Sequence, residues 1–160
     1  MRFHKNVVVV VFAVILLMAA GCMRYENYSS DLTRSFEKQI LHDFPKIHSF
    51  HVGYSPSAIM FFCDMDKTVS KGELKPIFIE ARVFFETKEF QKEFFNAYFK
   101  EYNTEPRYYP EVGVSFDTNG DGVEDYRFRA LPDKGSLPQS PKYSHWTLLK
   151  ADGTFTEVNY

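Results

Sequence analysis

Apolar positions fall into three kinds of pattern along this chain. A single unbroken run, Val7 to Ala20, opens it. Two stretches then repeat at helical spacing. In the first, Leu32, Phe36, Ile40 and Phe44 recur every four residues behind Ser29, Ser30 and Asp31, side chains suited to capping a helix, and Pro45 ends the run. In the second, "KEFQKEFFNAYFKEY" behind Thr87, the residues Phe90, Phe94, Phe95, Tyr98, Phe99 and Tyr102 cover about half of a helix circumference. This aromatic stripe is read as a helix face packed on a sheet.

The remaining segments read as strands. "KIHSFHVGYS" and "SAIMFFCDM" form a pair hinged near Tyr54-Ser55-Pro56, the second apolar on both sides and therefore central. After the polar stretch "DKTVSKGELK", "PIFIEARVFFE" alternates, with Ile77, Ile79, Ala81, Val83 and Phe85 on one side. That alternation predicts another strand. "EVGVSFD" and "VEDYRFRAL" flank a loop of Asx and Gly residues, and Asp152-Gly153 joins two final strands. Strands arriving in hairpins predict an α+β fold, an antiparallel sheet of six or seven strands with two helices packed on one face.

The opening apolar run changes the picture of where the chain goes. Its fourteen residues would span about 21 Å as a helix, short of a bilayer core of about 30 Å. With Arg2, His4 and Lys5 before it, the run suits a secretory signal. Ala19-Ala20-Gly21-Cys22 follows, and this resembles the lipobox of bacterial lipoproteins, with Ala19 where that pattern most often carries Leu. The resemblance implies a signal peptide over 1–21, removal of that segment, and lipidation of Cys22. It also implies anchoring in the cell membrane, or in the outer membrane of a two-membrane envelope. Residues 22–30 then form the lipidated cysteine and a tether, and 31–160 one α+β domain.

Composition narrows function mainly by exclusion. Removing Arg2 and Lys5 with the signal leaves 17 basic against 21 acidic residues, with no basic patch of the kind nucleic-acid binding uses. If Cys22 carries lipid, Cys63 is the remaining cysteine and no internal disulfide can form. Aromatic residues make up 18% of the chain, so some are expected at the surface. Tyr108, Tyr109 and Tyr143 are the candidates for stacking on sugars.

The chemistry in the sequence concentrates in "DTNGDGVED". Asp117, Asn119, Asp121 and Asp125 supply side-chain oxygens at positions 1, 3, 5 and 9, Val123 offers a carbonyl at 7, and Gly122 occupies the turn position. The segment resembles the calcium loops of EF-hands, dockerins and thrombospondin type 3 repeats, which implies a structural Ca2+ site. It departs at position 12, where Phe128 replaces a bidentate Glu, and its flanks alternate like strands. A metal-free reading stands beside it, because Asn-Gly and Asp-Gly both favour tight turns.

Signatures of catalysis are lacking: none of the common hydrolase, zinc-protease or phosphate-loop motifs occurs. His48 and His51 fall on opposite sides of a strand. Asp64 and Asp66 at a strand end, with Cys63 beside them, leave a small hydrolase as an alternative. The expectation is a non-catalytic, lipid-anchored envelope protein whose partner is another envelope protein or a saccharide.

Overall fold

The computed structural model describes residues 24–65, 69–102, 108–135 and 141–158. The signal segment, Cys22 and Asp66 lie outside these described residues. Among the described residues no helix is long and apolar enough to cross a membrane.

Seven strands form one sheet in chain order: β1 (Glu26–Tyr28), β2 (Ile47–Tyr54), β3 (Ala58–Met65), β4 (Glu111–Asp117), β5 (Tyr126–Ala130), β6 (Trp146–Lys150) and β7 (Phe155–Val158). Five of the six pairings are antiparallel, while β3 and β4 run parallel. A parallel pair needs a crossover of a dozen or more residues. Here the connection carries two helices. β3 is central as expected, with all but Phe62 and Asp64 buried.

Among the described residues three helices rather than two cover the sheet: α1 (Asp31–Asp43), α2 (Lys71–Glu86) and α3 (Lys88–Glu101). The outer two match the expected segments. Ser30 caps α1, exchanging bonds with Thr33, and Thr33, Phe36 and Ile40 form its buried line. Thr87 accepts from the Phe90 N–H at 3.3 Å to start α3, while its own hydroxyl donates to the last turn of α2 at Phe84 O.

The strand expected at "PIFIEARVFFE" is instead most of α2. Its buried residues are Leu74, Ile77, Phe78, Ala81 and Phe85, spaced as a helix face, and Val83 from the supposed inner row is 56% exposed. The segment's β-branched and aromatic residues satisfy both periods, and packing against the sheet decides for the helix. A signal was present in Ser70-Lys71-Gly72-Glu73, the sequence of a capping box. The Glu73 carboxylate accepts from the Ser70 N–H at 2.9 Å.

The two faces of the sheet follow from the register. Side chains in line across the strands share a face. One such line is Val52, Phe61, Val114, Phe128 and Leu148; the next contains Ile59, Val112, Ala130 and Trp146. All nine are buried, and the helices pack upon them. Phe61 meets Phe84, Phe85 and Phe90, while Phe78 stacks on Phe128 at 4.2 Å.

Candidate functional site

The opposite face has no helix upon it among the described residues, and its composition is different. Two lines of side chains define it. The first runs Asn27, Gly53, Met60, Gly113, Arg129, Thr147 and Glu157; the second runs His51, Phe62, Ser115, Arg127, Leu149 and Phe155. Glycines flank Met60 for a steric reason. A Cβ on Gly113 would come within 2.8 Å of Met60 Sδ, and one on Gly53 within 2.9 Å of the Phe62 ring. Both side chains therefore lie down over bare backbone.

An aromatic group sits at the β1 end. His51 stacks on Phe62 at 4.8 Å with 15° between the rings, and Tyr25 meets Phe62 edge-on at 5.1 Å. His51 is exposed and Phe62 half-buried. Beside them a polar network crosses β4 and β5. Ser115 Oγ donates to Glu124 Oε2 at 2.5 Å, Arg127 Nε donates to the same oxygen at 2.8 Å, and Arg129 lies 3.5 Å from Glu111.

The electrostatics of this network follow from its half-buried position. Burial pushes the Glu111 carboxyl up, with Arg129 and Arg127 opposing. Burial also raises the Tyr25 phenol, which lies in the field of Arg127, Glu111 and Glu124. For Arg127, burial alone would lower its pKa, but the bond to Glu124 and that carboxylate's charge outweigh it. Ser115 is not set up as a nucleophile: it is 6% exposed, and its carboxylate partner is already committed to Arg127.

The "DTNGDGVED" loop joins β4 to β5 as a chain of Asx turns. Asp117 accepts from the N–H groups of Asn119, Gly120 and Gly122, at 3.2, 2.7 and 2.7 Å. Asn119 accepts from Asp121, and Asp121 from Val123. Asp125 turns to Thr118, accepting from its N–H at 2.9 Å and its hydroxyl at 2.6 Å. Burial would raise the Asp117 pKa, yet the backbone donors hold it below the ordinary range, so this carboxylate stays ionised. Gly120 and Gly122 take φ of +75° and +80°, as the turn demands. Among the described residues no group of three or more His, Cys, Asp or Glu side chains is placed to hold a metal. The expected donors are spent on their own backbone in this arrangement.

The remaining expected site residues disperse. Tyr143 is buried rather than exposed, its hydroxyl donating to Pro110 O at 2.9 Å, because it fills the core edge against Phe85. Tyr109 is half-buried edge-on to Phe95 and Phe99, which leaves Tyr108, 69% exposed, as the one open ring of the three. Cys63 is fully buried in the helix-side core, and burial raises its thiol pKa strongly, away from nucleophilic character. Asp64 accepts from Ser49 Oγ at 2.5 Å on the helix-free face.

The sequence reading missed Tyr25, His51, Phe62, Glu111, Arg127 and Arg129 as a group. For all but Tyr25, which precedes β1, the usable signal was alternation within the strands, since each lies out of phase with the core residues of its segment. No protein-family model matches the chain, and comparisons with curated proteins and with solved structures likewise return no match.

Proposed function

We propose that this chain is a lipid-anchored envelope protein that acts by binding, with the helix-free face of its sheet as the docking surface. The supporting observation is the set of half-exposed rings and charges on that face, Tyr25, His51, Phe62, Arg127 and Arg129, where a domain with no partner would carry simpler polar residues. Three residues separate Cys22 from Glu26, and the four steps between them reach at most about 14 Å. A lipid on Cys22 would therefore hold the β1 edge close to the bilayer.

A saccharide of the envelope is the favoured partner. Its support is the nearly parallel His51 and Phe62 rings, which offer a flat apolar surface beside ion-paired arginines. Calcium has a lesser role in this reading. The ion would stabilise the β4–β5 loop weakly, after drawing Asp117, Asp121 and Asp125 away from their turn bonds.

Two experiments test the two halves. Metabolic labelling with radioactive palmitate should mark the wild-type chain and not Cys22→Ala; unlabelled wild type would remove the anchor. Co-sedimentation with purified cell-wall sacculi should be strong for wild type and fall several-fold for Phe62→Ala. Sedimentation that ignores this substitution would remove the docking face.

A further inference from the structure

A cleft of about 620 Å3 opens where the helix-free face meets the loop after β5, lined by Arg129, Leu131, Pro132, Asp133, Lys134 and His145, among others. That volume is within the range of small-ligand sites. Its polar groups are mostly basic. Arg129 has one long pairing, to Glu111, and its side chain is 46% exposed. Lys134 and His145 are exposed and make no hydrogen bond or salt bridge with the described residues. The single acid of the lining, Asp133, accepts from the Ser144 N–H at 3.1 Å and Oγ at 2.7 Å; these bonds, with His145 and Lys142 in its field, hold its pKa low, so it keeps its charge and Arg129 and Lys134 outnumber it.

The lining also has an apolar part. Leu131 is 65% exposed, and the half-buried Pro132 continues the surface. A neutral apolar ligand would leave Lys134 partly desolvated and unpaired, and an inorganic anion would leave Leu131 in water. An organic anion with a short apolar body satisfies both.

We infer that this cleft binds a small carboxylate-bearing organic anion, with Arg129 and Lys134 holding the carboxylate and Leu131 and Pro132 packing its apolar part. The inference depends neither on lipidation nor on docking at Phe62.

Hexanoate titrated into the full mature protein, followed by isothermal calorimetry, should give saturable binding that weakens as salt is raised. Hexanol and inorganic phosphate should each bind about tenfold more weakly, and Arg129→Gln with Lys134→Gln should lose about tenfold in affinity for hexanoate. Lys134→Gln alone, at an exposed position without bonds to break, should lose a smaller factor while melting like wild type. Equal binding of hexanol and hexanoate, or hexanoate binding unchanged in Lys134→Gln and in the double variant, would overturn the assignment.

Discussion

The two faces of this one sheet differ in what holds their side chains in place. On the helix side, neighbours interlock: Phe61 meets the rings of Phe50, Phe84, Phe85 and Phe90, and its line is buried from Val52 to Leu148. On the other side, Phe62, one residue further along, lies over Gly53 between His51 and Tyr25 and stays half-exposed. The same strand thus carries a face specified by volume and a face specified by charge pairing and close approach to glycine. The first fixes the fold. The second leaves chemistry available at the surface.

Substitution of these adjacent phenylalanines should break the comparison most sharply. Phe61→Ala opens a cavity in the ring cluster and should cost about 3 to 5 kcal/mol, whereas Phe62→Ala removes a half-exposed ring and should cost under about 1.5 kcal/mol. Urea unfolding with a common slope measures both. Comparable losses would mean that the helix-free face is as tightly packed as the core.

A smaller effect is expected from Gly113→Ala. The added Cβ would meet Met60 Sδ at 2.8 Å and Phe128 O at 3.0 Å. Met60 can swing aside, but the carbonyl belongs to the neighbouring strand. A loss of about 1 to 3 kcal/mol is expected, and adding Met60→Ala should not restore stability fully. Complete rescue would show that only the thioether opposed the methyl.

Much of this architecture was legible before any coordinates. The capping residues Ser30 and Thr87, the four-residue spacing of Phe36 and Ile40, and Asp152-Gly153 each encode a local structure through nearby bonds. The middle helix was not legible from periodicity, because Ile77, Phe78, Val83 and Phe85 suit both a strand and a helix face. Only the tertiary layer resolves that ambiguity. The parallel β3–β4 pairing was hidden for the same reason, since it follows from the helical crossover. On the helix-free face, Arg127 and Glu124 lie three residues apart, but Tyr25, Phe62 and Arg129 come together only through strand register. Tyr143 misled because an aromatic in a Pro-rich connection looks exposed, while its ring in fact closes the core against Phe85.

Acid titration distinguishes the two carboxylates at the ends of β4. Asp117 has a folded pKa below its unfolded value, so its stabilisation is complete above about pH 4 and is lost as pH falls through the folded value. Glu111 has the opposite sign: its raised pKa favours the protonated fold, and that contribution is lost as pH rises through the folded value. Asp117→Asn should therefore cost about 1 to 2 kcal/mol at pH 7 and progressively less as pH falls below the ordinary aspartate range, while Glu111→Gln should soften the decline in stability as pH rises above the ordinary glutamate range. Urea midpoints across this range, for wild type and both variants, measure each sign. An Asp117→Asn deficit that persists undiminished at pH 2 would assign the loss to packing and not to the ionised carboxylate.

Calcium should produce the smallest change. The β4–β5 loop already closes on itself, with three N–H groups on Asp117 and two donors from Thr118 on Asp125. An ion must compete with those bonds before it gathers ligands, and Phe128 supplies no carboxylate at the twelfth position. At calcium near its Kd the gain is RT ln 2, about 0.4 kcal/mol, or roughly 2 °C in melting temperature for a domain of this size. A thermal melt in EDTA and in graded millimolar calcium, beside Asp121→Ala, should show this shift in wild type and none in the variant. A rise of ten degrees would mean that the loop reorganises into a complete cage. No rise at any calcium level would leave the Asx turns as the whole function of the acidic segment, and the two glycines as their steric requirement.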